Sequence, residues 1–326
     1  MMRLLLKKYV NESIWLWLAC GLMLYLFCWA RVWIVCQFDL QQFQPFLEQF
    51  RSFEKFSPVP LEQLLTYTGS IGMTFHEPVL ILCILVWCIA RGSDVVSGEL
   101  GRGTLEILLA QPISRMRLLS SHALVSTLGL ALLCLIAWLG LTCGILSNSI
   151  TEQIVPVTEV KIPFWPATIP IASGPAVPVT TPLVQRVNPW VYAAPTLNLF
   201  ALGFFMLSLS VLFSCFDRYR WRTIGLVVGL YVVQLLLFIL SKSTEATAAC
   251  GYGTILSAYQ PDAIIQFSRD NLQQAWWLSV PVDRRTASWQ FALGPLGLSS
   301  LLLALAVLCY AGAAYRFHRR DLPAPL

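Results

Sequence analysis

Residues 197–216 read LNLFALGFFMLSLSVLFSCF, without one Asp, Glu, Lys, Arg or His. An α-helix rises 1.5 Å per residue, so this run is ~30 Å long, the thickness of a bilayer's hydrocarbon core. It has no polar face, and a helix that is apolar all round is buried on every side. Five more runs repeat the pattern, at 14–36, 71–90, 123–146, 223–241 and 296–315. The short alternating strands of a membrane β-barrel are absent. The chain therefore reads as an all-α integral membrane protein, one transmembrane domain over residues 1–326 with six spans.

Working outward, 57% of the residues are hydrophobic and 12% charged. A soluble domain carries about twice that charged fraction. Charges gather in short clusters between the apolar runs, as a medium hostile to unpaired charge requires. The first run follows Arg3, Lys7 and Lys8, but it is too long for a signal-peptide core and no small-x-small site closes it. It reads as a retained signal anchor. Nine of the ten cysteines lie in or at the ends of apolar runs, with Cys250 in a loop, and no C-x-x-C pair occurs. They read as small apolar residues, not as a zinc or redox motif.

Lys and Arg mark cytoplasmic loops. One set of short segments holds thirteen of them: Arg3, Lys7, Lys8; Arg91, Arg102, Arg115, Arg117; Arg218, Arg220, Arg222; Arg316, Arg319, Arg320. The much longer alternate segments share eight. Both termini are thus expected in the cytoplasm. The N-terminal MMRLLLKKYVNES mixes leucine and lysine and suits an amphipathic helix lying in the inner interface, or a frayed topogenic tail. The outer segments are 37–70, 147–196 and 242–295. In the first, Phe43, Phe46, Leu47, Phe50 and Phe53 recur at helical spacing, predicting an amphipathic helix. In the second, nine prolines forbid a continuous helix and predict extended or polyproline geometry. The third predicts a short helix near 262–278, with Trp276, Trp277 and Trp289 suited to the membrane interface.

Ionisable residues inside spans are few. Arg31, His76 and Glu77 lie near outer ends, where Arg31 and Glu77 could pair across the first two spans. Pro78 predicts a kink in the second span.

The connection at 90–122 reads ARGSDVVSGELGRGTLEILLAQPISRMRLLSSH. It is longer than a turn needs. Its leucine-rich centre, 104–110, is preceded by Gly101 and Gly103, closed by Pro112, and too short to span. A short apolar helix between charged flanks is expected to be covered by something. Here the sequence resembles the type-2 ABC transporter permease family. The resemblance rests on Glu99, Gly103, Thr104, Leu105, Leu108, Leu109, Pro112 and Arg115, in the order E-x3-GT-L-x2-LL-x2-P-x2-R, and on the basic tail FHRRDL at 317–322. The layout of six spans behind an amphipathic N-terminus is similar as well.

The resemblance implies a coupling segment over 91–122 that seats in a groove of a separate ATP-hydrolysing subunit, two copies of which bind ATP and Mg. It implies pairing with itself or a related permease, export as the direction, and the bacterial plasma (inner) membrane as the location. The bilayer is the other partner, and nucleic acid is not expected. Leu105, Leu108 and Leu109 suit apolar anchoring, while Glu99, Arg102 and Arg115 suit rim contacts or bracing of the loop. The plainer reading is an ordinary connection in which Glu99 and Arg115 pair with each other.

The chain has no G-x4-G-K-S/T loop and no Gly-Lys dipeptide, so ATP hydrolysis by that route is not expected of it, nor any cofactor of its own. His76-Glu77 does not continue to H-E-x-x-H because position 80 is Leu80, and no G-x-S-x-G elbow occurs. An enzyme is therefore not expected. A secondary transporter, a channel or a scaffold of a membrane complex stays open as an alternative to the ABC permease, though spans this poor in charge argue against ion coupling.

Overall fold

The computed structural model describes residues 2–37, 66–105, 110, 114–154, 157–161, 168–172, 177–243, 245–279 and 293–319. Six helical segments are long and apolar enough to cross a membrane: Arg3–Gln37, Tyr67–Gly101, Arg115–Ser147, Pro189–Phe216, Arg220–Ser243 and Pro295–Arg319. Each contains one of the six apolar runs and extends past it. The helices proper are α1 (Met2–Gln37), α2 (Pro78–Ser93), α3 (Arg115–Ser147), α4 (Ala193–Phe216), α5 (Arg220–Ser243) and α6 (Pro295–Arg319).

The charge-free run is the centre of the bundle. α4 packs along both α2 and α6, while α1 packs along α3. One large apolar core joins them, built on Leu24, Ile84, Trp87, Leu130, Leu202 and Leu302. Close approach of α1 and α3 depends on Gly140, where a Cβ would stand 2.8 Å from the Tyr25 carbonyl oxygen. The amide of Asn198, near the start of α4, is buried: its Nδ2 donates to the Ala258 carbonyl (3.2 Å) and Ser299 Oγ (3.1 Å), while its Oδ1 has no hydrogen-bond partner among the described residues. α5 is the opposite case. Only Thr223 and Val227 along it are buried, so most of its apolar surface faces outward.

The N-terminal stretch is helical but is not a separate element. It runs into the first span without interruption, and its Leu5, Tyr9 and Ser13 are buried one turn apart. The second span is interrupted, not kinked. A short helix (Tyr67–Gly72) and a 3-10 turn (Met73–His76) lead to Glu77 in extended geometry, and Pro78 opens α2 at its first turn. Proline is at home there, because that N–H has no partner within the helix in any case.

The proline-rich outer segment forms strands. β1 (Ser149–Ile154) pairs antiparallel with β4 (Val177–Pro182), and β2 (Val157–Lys161) with β3 (Thr168–Ala172), one ribbon nested beyond the other. Every strand of a two-stranded ribbon keeps a free edge, so Pro170, Pro178 and Pro182 sit in strands without breaking a second ladder. In the third outer segment a helix spans Pro261–Asp270. The amphipathic helix expected from Phe43, Phe46, Leu47, Phe50 and Phe53 lies outside the described residues, as does Trp289.

Candidate functional site

The structure gathers the basic clusters at one end of the bundle. Lys8 of α1, the continuation of α2, the start of α5 and the end of α6 meet there through Lys8–Glu99, Arg220–Asp94 and Arg115–Phe317 contacts.

The site is built on the way the second span ends. After Ser93 the α-helix widens into a π-helical turn (Asp94–Gly98), closes with Glu99–Gly101, and reaches Arg102 and Gly103. Widened turns occur mostly at functional positions, because they cost backbone hydrogen bonds. Here a neighbouring helix supplies the missing acceptor. Ser214 of α4 is fully buried, and its Oγ accepts from the backbone N–H of Val96 (3.2 Å) and Ser97 (2.9 Å). Ser97 Oγ donates to the Ser93 carbonyl (2.7 Å), and Thr223 of α5 donates to Ser97 Oγ (3.2 Å). A ladder of small hydroxyls thus joins the turn to α4 and α5. Gly103 then takes φ +70, with its N–H donating to the Leu100 carbonyl (3.1 Å). That left-handed conformation ends the helical turn and selects glycine.

Two carboxylates sit inside this corner. Asp94 Oδ1 accepts from Arg102 Nη1 at 2.8 Å and lies 3.3 Å from Arg220 Nη1, and Arg91 Nη1 is 3.8 Å from Oδ2. The bond from Asp94 holds the Arg102 guanidinium above its ordinary pKa. Glu99, 1% exposed, accepts from Lys8 Nζ at 2.7 Å, has Arg102 Nη2 at 3.5 Å, and carries the Thr104 hydroxyl on its other oxygen. It braces the span's end against α1, and burial of this kind is stable only while its partners remain.

Leu105 is fully buried, in a second apolar cluster with Val95, Val96, Leu118, Leu119 and Phe317. Thr104 is half-buried on Glu99. Arg115 Nη1 donates to the Phe317 carbonyl at 3.2 Å, while the ion partners of Glu99 among the described residues are Lys8 and Arg102. Among the described residues of the segment, Gly101, Arg102, Gly103, Ala110, Ser114, Met116, Arg117 and Ser120 are exposed. Leu108, Leu109 and Pro112 lie outside the described residues.

At the opposite end, Arg31 Nε stands 3.3 Å from Glu77 Oε1, joining α1 to the break before α2. His76 Nε2 meets Asp262 Oδ2 at 2.6 Å, a pairing with the Pro261–Asp270 helix that spacing alone does not suggest. Asp94, Arg220, Ser214 and Asp262 are the functional candidates that reading the sequence passed over. Asp94 carried a signal: an acidic residue three positions beyond Arg91, at the mouth of an apolar run, demands a buried cation.

A search among curated proteins finds no match to the chain. A family model described as ABC-2 family transporter protein matches residues 12–322, all six spanning segments included but for the first turns of α1, and the chain belongs to that family.

Proposed function

We propose that this chain is the membrane-spanning subunit of an ABC exporter in a bacterial plasma membrane, driven through its 91–122 segment by a separate ATPase. As an ABC-2 family protein it is a multi-pass transport component, and proteins of this family pair with an ABC ATPase. The finer reading places both termini in the cytoplasm, two ATPase copies holding ATP and Mg against the basic end, and a second permease, identical or related, against this one. The outward apolar surface of α5 suits such a neighbour.

One observation supports the coupling role most: the segment is anchored at its root and open at its tip. Asp94, Glu99 and Leu105 are buried and tied to α1, α4, α5 and α6, whereas Gly101 to Gly103 and Ser114 to Arg117 face outward or nearly so. A push on such a tip moves four helices together instead of bending a loop. Leu108 and Leu109 take the anchoring role that Leu105 does not.

The test is co-purification with an ABC ATPase from the native membrane. Leu108→Asp and Leu109→Asp should lose the ATPase while the permease stays monodisperse in detergent. Leu105→Asp should instead lose the folded permease, since it puts a charge into a core. Retention of the ATPase by the first two variants would overturn the coupling role.

A further inference from the structure

Between α1 and the first turn of α5 a strip of α2 is left uncovered. Pro78, Leu82 and Val86 are exposed at one-turn spacing, and the next residue on that face is Ala90. Beside Ala90 the strip opens into a cleft of about 360 Å³ lined by Leu16, Ala90, Glu12, Arg91, Asp94, Arg102 and Arg220. Its polarity is graded along the bundle axis. Leu16 lies one turn deeper than Glu12 on α1, and Ala90 precedes Arg91 on α2. The cleft is thus apolar toward the middle of the bundle and cationic toward the basic end.

Its charge is unbalanced. Three guanidinium groups and two carboxylates line it, and both carboxylates are engaged; Glu99, 3.5 Å from Arg102, is itself taken up by Lys8. Asp94 Oδ1 already serves Arg102 and Arg220, and Glu12 pairs with Lys8 at 3.6 Å. Arg91 is 4% exposed, its nearest carboxylate oxygen is 3.8 Å away, and its Nε and Nη2 have no hydrogen-bond partner. A buried cation short of acceptors calls for a further negative charge.

We propose that the cleft holds the headgroup of an anionic phospholipid from the leaflet at the basic end, an assignment that rests on the cytoplasmic placement of that end given above. Arg102 and Arg220 meet the phosphate from the open side, Arg91 supplies charge from behind, and an acyl chain lies along Val86 and Leu82. Arginine's fork suits phosphate, and anionic lipid is the counter-charge a membrane offers at this depth. The lipid would then bridge α1, α2 and α5 at the root of the coupling segment.

The full chain, without its ATPase, should be reconstituted in nanodiscs of phosphatidylcholine, whose own choline neutralises its phosphate, and in discs containing phosphatidylglycerol. Thermal unfolding followed by tryptophan fluorescence should come several degrees higher with phosphatidylglycerol, as a ligand bound only to the folded state requires. The difference should vanish in the Arg102→Gln/Arg220→Gln variant. Because that variant disturbs Asp94, Leu16→Trp provides the second test: it fills the cleft, leaves the ion pairs, and should also abolish the difference. Equal unfolding in the two lipids, or a difference that survives Leu16→Trp, overturns the proposal. Inorganic phosphate matching phosphatidylglycerol in phosphatidylcholine discs would overturn the lipid assignment in favour of a free anion. With no ATPase present, failure here is distinct from failure of the docking test.

Discussion

The second span is irregular at both ends, and the two ends are repaired by opposite means. At the end away from the basic cluster the helix is broken: a 3-10 turn stops at His76, Glu77 is extended, and Pro78 starts afresh. Its side chains are held by partly exposed pairs, Arg31–Glu77 and His76–Asp262. At the basic end the helix is widened but never broken, and its repairs are buried: Ser214 beneath the π turn, Asp94 and Glu99 among four cations. Exposed pairs are cheap to make and to exchange, whereas buried ones resist separation. Under the coupling role proposed above, the break before Pro78 suits adjustment and the basic end suits transmission of force.

The strongest way to break this contrast is Asp94→Asn. It strands Arg91 without a counter-ion and removes the shared acceptor of Arg102 and Arg220. Unfolding in detergent should be eased by on the order of 3 kcal/mol, the low end for a broken buried pair because Arg102 and Arg220 are half-exposed. An unchanged midpoint would mean that water, not Asp94, balances these charges.

Next comes Ser214→Ala, which removes the side-chain acceptor shared by the Val96 and Ser97 amides. A loss of about 1–3 kcal/mol is expected, and faster hydrogen exchange confined to those amides would locate it. Gly103→Ala should cost about 1–2 kcal/mol from its left-handed backbone alone, since nothing lies within 4 Å of the added methyl. Assembly with the ATPase should suffer more than that figure suggests, because the residue sets the direction of the segment beyond it. Smallest is the outer pair. With side chains 23% and 35% exposed, a double-mutant cycle on Arg31→Gln and Glu77→Gln should give a coupling below about 1 kcal/mol. A coupling as large as that of the inner end would erase the distinction.

Much of this was legible beforehand, and for a physical reason. A bilayer permits few solutions, so six apolar runs and the sorting of Lys and Arg sufficed to find the spans. Arg31 and Glu77 stood out because charges at a span's end are rare. The inner corner was harder. The leucines at 105, 108 and 109 look alike as a pattern, and only packing tells that Leu105 closes on Phe317 while belonging to the same short run. Glu99 suited either a rim contact or bracing of the loop, and its partner Lys8 is too remote in sequence to favour one. Ser214 gives no signal at all: a serine in an apolar run is ordinary until an irregular turn is found against it. The prolines of 147–196 suggested extended or polyproline geometry, and the strands follow the extended alternative because a ribbon with two free edges tolerates proline.

The π turn has a genetic consequence. A widened turn amounts to one extra residue, and in an α-helix one residue corresponds to about 100° of rotation. Deleting any single residue from 94–98 would let the helix regularise at little local cost, yet everything downstream would swing round by that angle. Glu99 would turn away from Lys8 and Leu105 out of its cluster. Length in this one stretch therefore functions as a phase setting, less tolerant of a deletion than of most changes in side chain.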